Sequence, residues 1–171
     1  MIATLFLFLF LAGLVFAAVH DVLTMTIPNW VSIAFVLAFP MAALAVGAEW
    51  SLIRWHFLAG LIGFAVCVGM FSVGVFGGGD AKLLPAVLVW IGPAATLEYV
   101  YGIALTGGLL AIAVLMSRKF VPQNVVPGFL QRTVVQGPGI PYAVAIALGA
   151  IWAAPASPVL SAIIAQTTAA H

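Results

Sequence analysis

The sequence predicts an all-α, polytopic membrane protein with about six transmembrane helices, its N-terminus outside and its fourth span short or broken. Three observations lead there. Of the 171 residues, 65% are hydrophobic and 5% are charged, against about 25% charged in a soluble domain. A chain this short cannot hide so much apolar surface from water. The apolar residues also come in long runs, and in lipid such runs must be helical to satisfy their own backbone groups. Finally, the basic residues segregate. With six alternating spans, Lys82, Arg118, Lys119 and Arg132 fall on one side and Arg54 alone on the other. The positive-inside rule then places the first side in the cytoplasm.

The spans follow in order. Ile2 to Val19 has no basic residue ahead of it and is longer than the apolar core of a usual signal peptide, so it reads as a retained transmembrane helix. Trp30 to Val46 is the second span, entered through Pro28 and Asn29, and Phe57 to Phe76 is the third. Leu83 to Ala95 is short, contains Pro85 and is interrupted at Gly92–Pro93, so it either tilts or dips only partly through the bilayer. Tyr99 to Met116 and Ile140 to Ala154 complete the set. The tail from Pro155 is either a short interfacial helix or an extension of the last span. Residues 117–139, rich in proline and glycine, read as a cytoplasmic loop within a single domain covering 1–171. Trp30, Trp50, Trp55, Tyr99 and Tyr101 lie near span ends and suit an aromatic belt. The glycines of the third and fifth spans suit close helix packing.

Composition also narrows the function. A net charge of +1 without a basic stripe gives no footprint for nucleic acid. Cys67 stands alone, so there is no intrachain disulfide and no CxxC site. His20, His56 and His171 have no ligand spacing, and no metal or cofactor is expected.

The informative residues are two aspartates. An aspartate deep in a membrane helix costs roughly 2.5–3.5 kcal/mol and usually marks a function. Asp21 and Asp80 lie at span ends on the predicted cytoplasmic side, where the cost is smaller. Asp80 follows Gly77, Gly78 and Gly79, which permit a tight turn and close approach of another chain. It reads either as a helix N-cap after that turn or as one half of a functional pair with Asp21. Lys82 does not share a helix face with Asp80. It reads as a positive-inside anchor or as a contact to lipid phosphate or an acidic substrate residue. His20, beside Asp21, is either solvated or a third proton carrier.

Three blocks resemble one family. Asp21, Ile27, Pro28 and Asn29 fit D-x5-IPN. Gly77, Gly79, Asp80 and Lys82 fit GxGDxK. Pro141, Tyr142, Ala145, Ile146, Ala147 and Gly149 fit PYxxAIAxG. Together they resemble the type IV prepilin peptidases, membrane aspartyl proteases, and more closely the small, peptidase-only type of Flp (tight-adherence) pilus assembly. The resemblance implies an aspartic endopeptidase without cofactor, in which Asp21 and Asp80 share a proton and activate water. It implies as substrates pilin or pseudopilin precursors, each with a short basic leader, a cleavage site at the cytoplasmic membrane edge and an apolar helix beyond, with the pilus assembly machinery and membrane lipid as partners and an active site at the cytoplasmic face of the bacterial inner membrane. Pro28, Asn29, Gly77, Gly79, Lys82, Pro141 and Tyr142 are the implied supporting residues. Without paired CxxC motifs, N-methyltransferase activity is not expected. The competing classes are an ion-coupled transporter using the same carboxylates and a noncatalytic scaffold. The first usually places its carboxylates near the midplane, often with repeats. The second predicts that neutralising both aspartates changes nothing except stability.

Overall fold

The computed structural model describes residues 2–128, 131, 133, 135 and 139–169, and the described residues are helical with no strand. Among the described residues, seven α-helices follow in order: α1 (Ile2–Thr24), α2 (Asn29–Ala45), α3 (Trp50–Ser72), α4 (Asp80–Ile91), α5 (Thr96–Phe120), α6 (Tyr142–Ala153) and α7 (Pro158–Thr168). The first six fall on the six apolar runs, and α7 is the tail. Arg132 and His171 lie outside the described residues.

The chain is an integral membrane protein by the length and character of its helices. Ile2–Thr24, Trp50–Ser72 and the continuous run Pro93–Phe120 are long and apolar enough to cross a bilayer. The α6–α7 pair makes a fourth crossing if its two halves, bent by 77°, count as one span. That bend corrects the idea of the tail as a straight extension. Instead α7 folds back against α1 and α4, burying Val159, Leu160 and Ile163. Ser157 caps it by accepting from the Leu160 N–H, and its hydroxyl donates to the Trp90 carbonyl at 2.9 Å.

The short fourth segment has a different cause from a tilt. With 12 residues, α4 extends about 18 Å, well under the roughly 30 Å of a bilayer core. It is apolar on every side and buried from Leu83 to Ile91 except at Leu84, as expected of a helix enclosed by others. The surrounding helices are α2, α3, α6 and α7. Trp90 anchors this core. Its indole N–H donates to the Phe35 carbonyl at 2.8 Å, and its ring packs against Phe10, 4.9 Å between centroids.

α4 ends at Gly92, whose φ of +76° suits glycine. A Cβ there would collide with the His56 ring. That ring stacks on Phe39 at 5.0 Å, and its Nδ1 donates to the Val89 carbonyl at 2.9 Å. Small residues bring helices together as anticipated: a Cβ on Gly102 would lie 2.9 Å from the Gly149 Cα. Trp30, Trp50, Trp55 and Tyr101 are exposed, in keeping with a belt. Tyr99 is not. It is fully buried and donates its hydroxyl to the Leu84 carbonyl at 3.3 Å, so it belongs to the core.

Candidate active site

Asp21 occupies the last turn of α1. Met25 ends that helix with a left-handed φ of +56°, its N–H donating to the Asp21 carbonyl at 2.7 Å. The chain then passes Ile27, and Pro28 in extended conformation leads into α2 at Asn29. The Asp21 side chain is buried, 6% exposed, and its Oδ2 accepts from the Ala143 N–H at 3.1 Å. Ala143 belongs to the first turn of α6, after Pro141 and Tyr142. The first N–H groups of a helix lack intrahelical partners, and its positive dipole end favours an anion. The third sequence block therefore delivers a donor to the first aspartate.

Asp80 is the first residue of α4, and Gly79 holds the cap position with no side-chain cap bond. This corrects the N-cap alternative for Asp80. The glycines before it act through close approach rather than through left-handed backbone, because in the segment after α3 only Gly74 has positive φ, +77°. A Cβ on Gly77 would sit 3.0 Å from Asp80 Oδ2, and one on Gly79 would sit 3.1 Å from the Cβ of Ile27. Bare backbone at these two positions lets the carboxylate and the Ile27–Asn29 block close on the turn.

The two aspartates, 59 residues apart in sequence, line one cavity of about 790 Å³, with Tyr142, Ile27, Asn29 and the Gly74–Gly79 segment. Asp80 has its pKa pushed up to about 7, first by burial and then by the negative charge of Asp21, against the opposing backbone hydrogen bond of Gly77.

Lys82 finds a partner that the sequence does not reveal. Its Nζ donates to Asn29 Oδ1 at 3.0 Å, joining the GxGD block to the IPN block. His20 Nδ1 donates to the Thr26 carbonyl at 2.8 Å, and the Thr24 hydroxyl donates back to the His20 carbonyl at 2.7 Å, which shapes the turn after α1. Arg118 was counted only as a positive-inside charge. Its Nη2 donates to the carbonyls of Thr133 (2.8 Å) and Gly139 (2.6 Å), while the Thr133 hydroxyl donates to the Val22 carbonyl (2.7 Å). Thr133 and Gly139 are thus held by α5, and Thr133 also by α1. Ala143, Gly139 and Met25 were missed by motif reading. Ala143 was nearest to hand, one residue past the Pro141–Tyr142 pair.

A family model described as the type IV leader peptidase family matches residues 8–116, well over half of the chain. The chain belongs to this family. The leader peptidase match contains both aspartates, the Ile27–Asn29 block and Lys82, and ends before Pro141. The third block is joined to this peptidase's first block by the Ala143–Asp21 hydrogen bond, and the first to the second by Lys82–Asn29. No curated protein and no solved structure matches the chain.

Proposed function

We propose that this leader peptidase is an aspartic endopeptidase that removes the leader from pilin or pseudopilin precursors at the cytoplasmic face of the bacterial inner membrane. The observation that carries the reading is the meeting of Asp21 and Asp80 in one cavity. Two carboxylates at close quarters do not both ionise easily, so the pair holds one proton. Asp80, pushed up to about 7, holds it. Asp21, facing the Ala143 N–H, is the ionised partner.

Asp21 draws a proton from a water molecule as the water oxygen attacks the scissile carbonyl carbon. Asp80 gives its proton to the carbonyl oxygen, and the tetrahedral intermediate forms. The C–N bond then breaks, a proton passes to the leaving nitrogen, and the remaining proton returns the pair to its starting state. The supporting residues act through position: Gly77 and Gly79 by close approach, Lys82 and Asn29 by joining two blocks, Pro141 and Tyr142 by starting α6.

The cytoplasmic placement rests on charge. Lys82 and Arg118 stand at the carboxylate end of the bundle and Arg54 near the start of α3. Six crossings with the N-terminus outside fit this distribution. The three sequence blocks favour the small type that serves Flp pilus assembly, with assembly proteins as partners.

Asp21→Asn and Asp80→Asn each test the pair. Membranes containing either variant are incubated with a pilin precursor, and processing is followed by mobility shift. Both variants should insert normally and lose cleavage by at least about a thousandfold. Undiminished cleavage by either would overturn the dyad.

A further inference from the structure

Beyond the dyad, the bundle has an open side. α3 and α5 are held apart by α4, and between them runs an apolar cleft of about 780 Å³. Along α3 it extends from Trp55 to Met70, about 22 Å at 1.5 Å per residue. Its end toward the carboxylates is bounded by Phe76 and Tyr142, which also line the dyad cavity. Cleft and cavity therefore share a wall. A second groove of about 560 Å³ lies between α2 and α3, but among the described residues it shares only Asn29 with the dyad cavity. There the Asn29 side chain is tied to Lys82.

We infer that the α3–α5 cleft seats the first turns of the precursor's apolar helix, the segment that follows the scissile bond. This rests on the peptidase reading above and adds where the substrate lies. The cleft is long enough for several helical turns, and its lining is almost wholly apolar. A helix lying in it enters the dyad cavity past Tyr142 and Phe76, which brings the bond ahead of it to the carboxylates. Chain still extended at that point can reach water at the membrane edge. The helix behind it never leaves an apolar surround.

Disulfide trapping tests this. Single cysteines replace Ala104 or Gly108 in the cleft, and Ile33 or Leu61 in the other groove, in a Cys67→Ala, Asp80→Asn background. Each variant is paired in membranes with a precursor carrying one cysteine in the first two turns of its helix. Crosslinks should form from Ala104→Cys and Gly108→Cys and not from Ile33→Cys or Leu61→Cys. Trapping only in the α2–α3 groove, or at none of the four positions, would overturn the assignment, the latter meaning that lipid alone fills the cleft. Gly108→Trp in the otherwise native enzyme is a second measurement, because a Cβ at Gly108 meets nothing within 4 Å. KM for the membrane-anchored precursor should rise about tenfold or more, and an unchanged KM counts against the proposal. If the native enzyme cleaves no pilin precursor, the peptidase reading itself fails, which is distinct from cleavage that ignores the cleft.

Discussion

Both carboxylates stand at the N-terminal ends of helices, Asp80 at its own and Asp21 at that of α6. The arrangement lets negative charge exist in an apolar bundle while leaving one proton shared. The proton proposed on Asp80 has two consequences. Cleavage should fall as pH rises through about 7, where Asp80 ionises, which initial rates between pH 5 and 9 would show. The same group acts on stability. Its folded pKa lies above the ordinary 3.8, so the folded state binds the proton more tightly, and stability is lost as pH rises from about 4 to about 7. Asp80→Asn should therefore unfold at a higher temperature than the native chain at pH 8 in detergent, with the gap narrowing toward pH 4. The aspartates and the glycines were legible as residues because charge is rare here and GGGD is unusual. Lys82–Asn29 and Ala143–Asp21 were not, since each joins positions brought together only by the fold.

At the scale of elements, α4 shows what hydropathy can and cannot say. Its shortness and its break at Gly92–Pro93 are visible in sequence. Its position inside the other helices is not, because a helix apolar all round looks the same whether lipid or protein surrounds it. Tyr99 was misplaced for a related reason: an aromatic near a span end suits an interface or a core equally until neighbours are known. The junction after α4 should be the least forgiving place in the fold. Gly92→Ala puts a Cβ into a left-handed position and into the His56 ring together. Strain and overpacking of this kind sum to about 2–4 kcal/mol. Thermal unfolding in detergent should show a clear drop, whereas Gly69→Ala, with open space around its Cβ, should not.

For the whole molecule, the helices match the apolar runs closely, yet among the described residues three are long and apolar enough to cross a membrane, or four with the bent pair. Runs of apolar residues locate helices well, but they do not tell a helix facing lipid from one, like α4, that is largely enclosed by other helices. Sidedness is the quantity to measure. With the proposed orientation, cysteines placed at Lys82 and Lys119 should react with a membrane-impermeant reagent only in inverted vesicles. One at Arg54 should react from the outside of intact cells. The reverse pattern would put the dyad on the wrong side for a cytoplasmic leader.

The junction of α4 with Gly92 also governs the far end of the same rod. Asp80 heads a buried helix whose other end is seated against His56 and, through Trp90, against Phe35, so its depth in the membrane is gauged from about 18 Å away. One residue added within α4 would turn the carboxylate by about 100° and shift it by about 1.5 Å. Evolution can therefore trade side chains along this helix, but it cannot change its length without moving the chemistry.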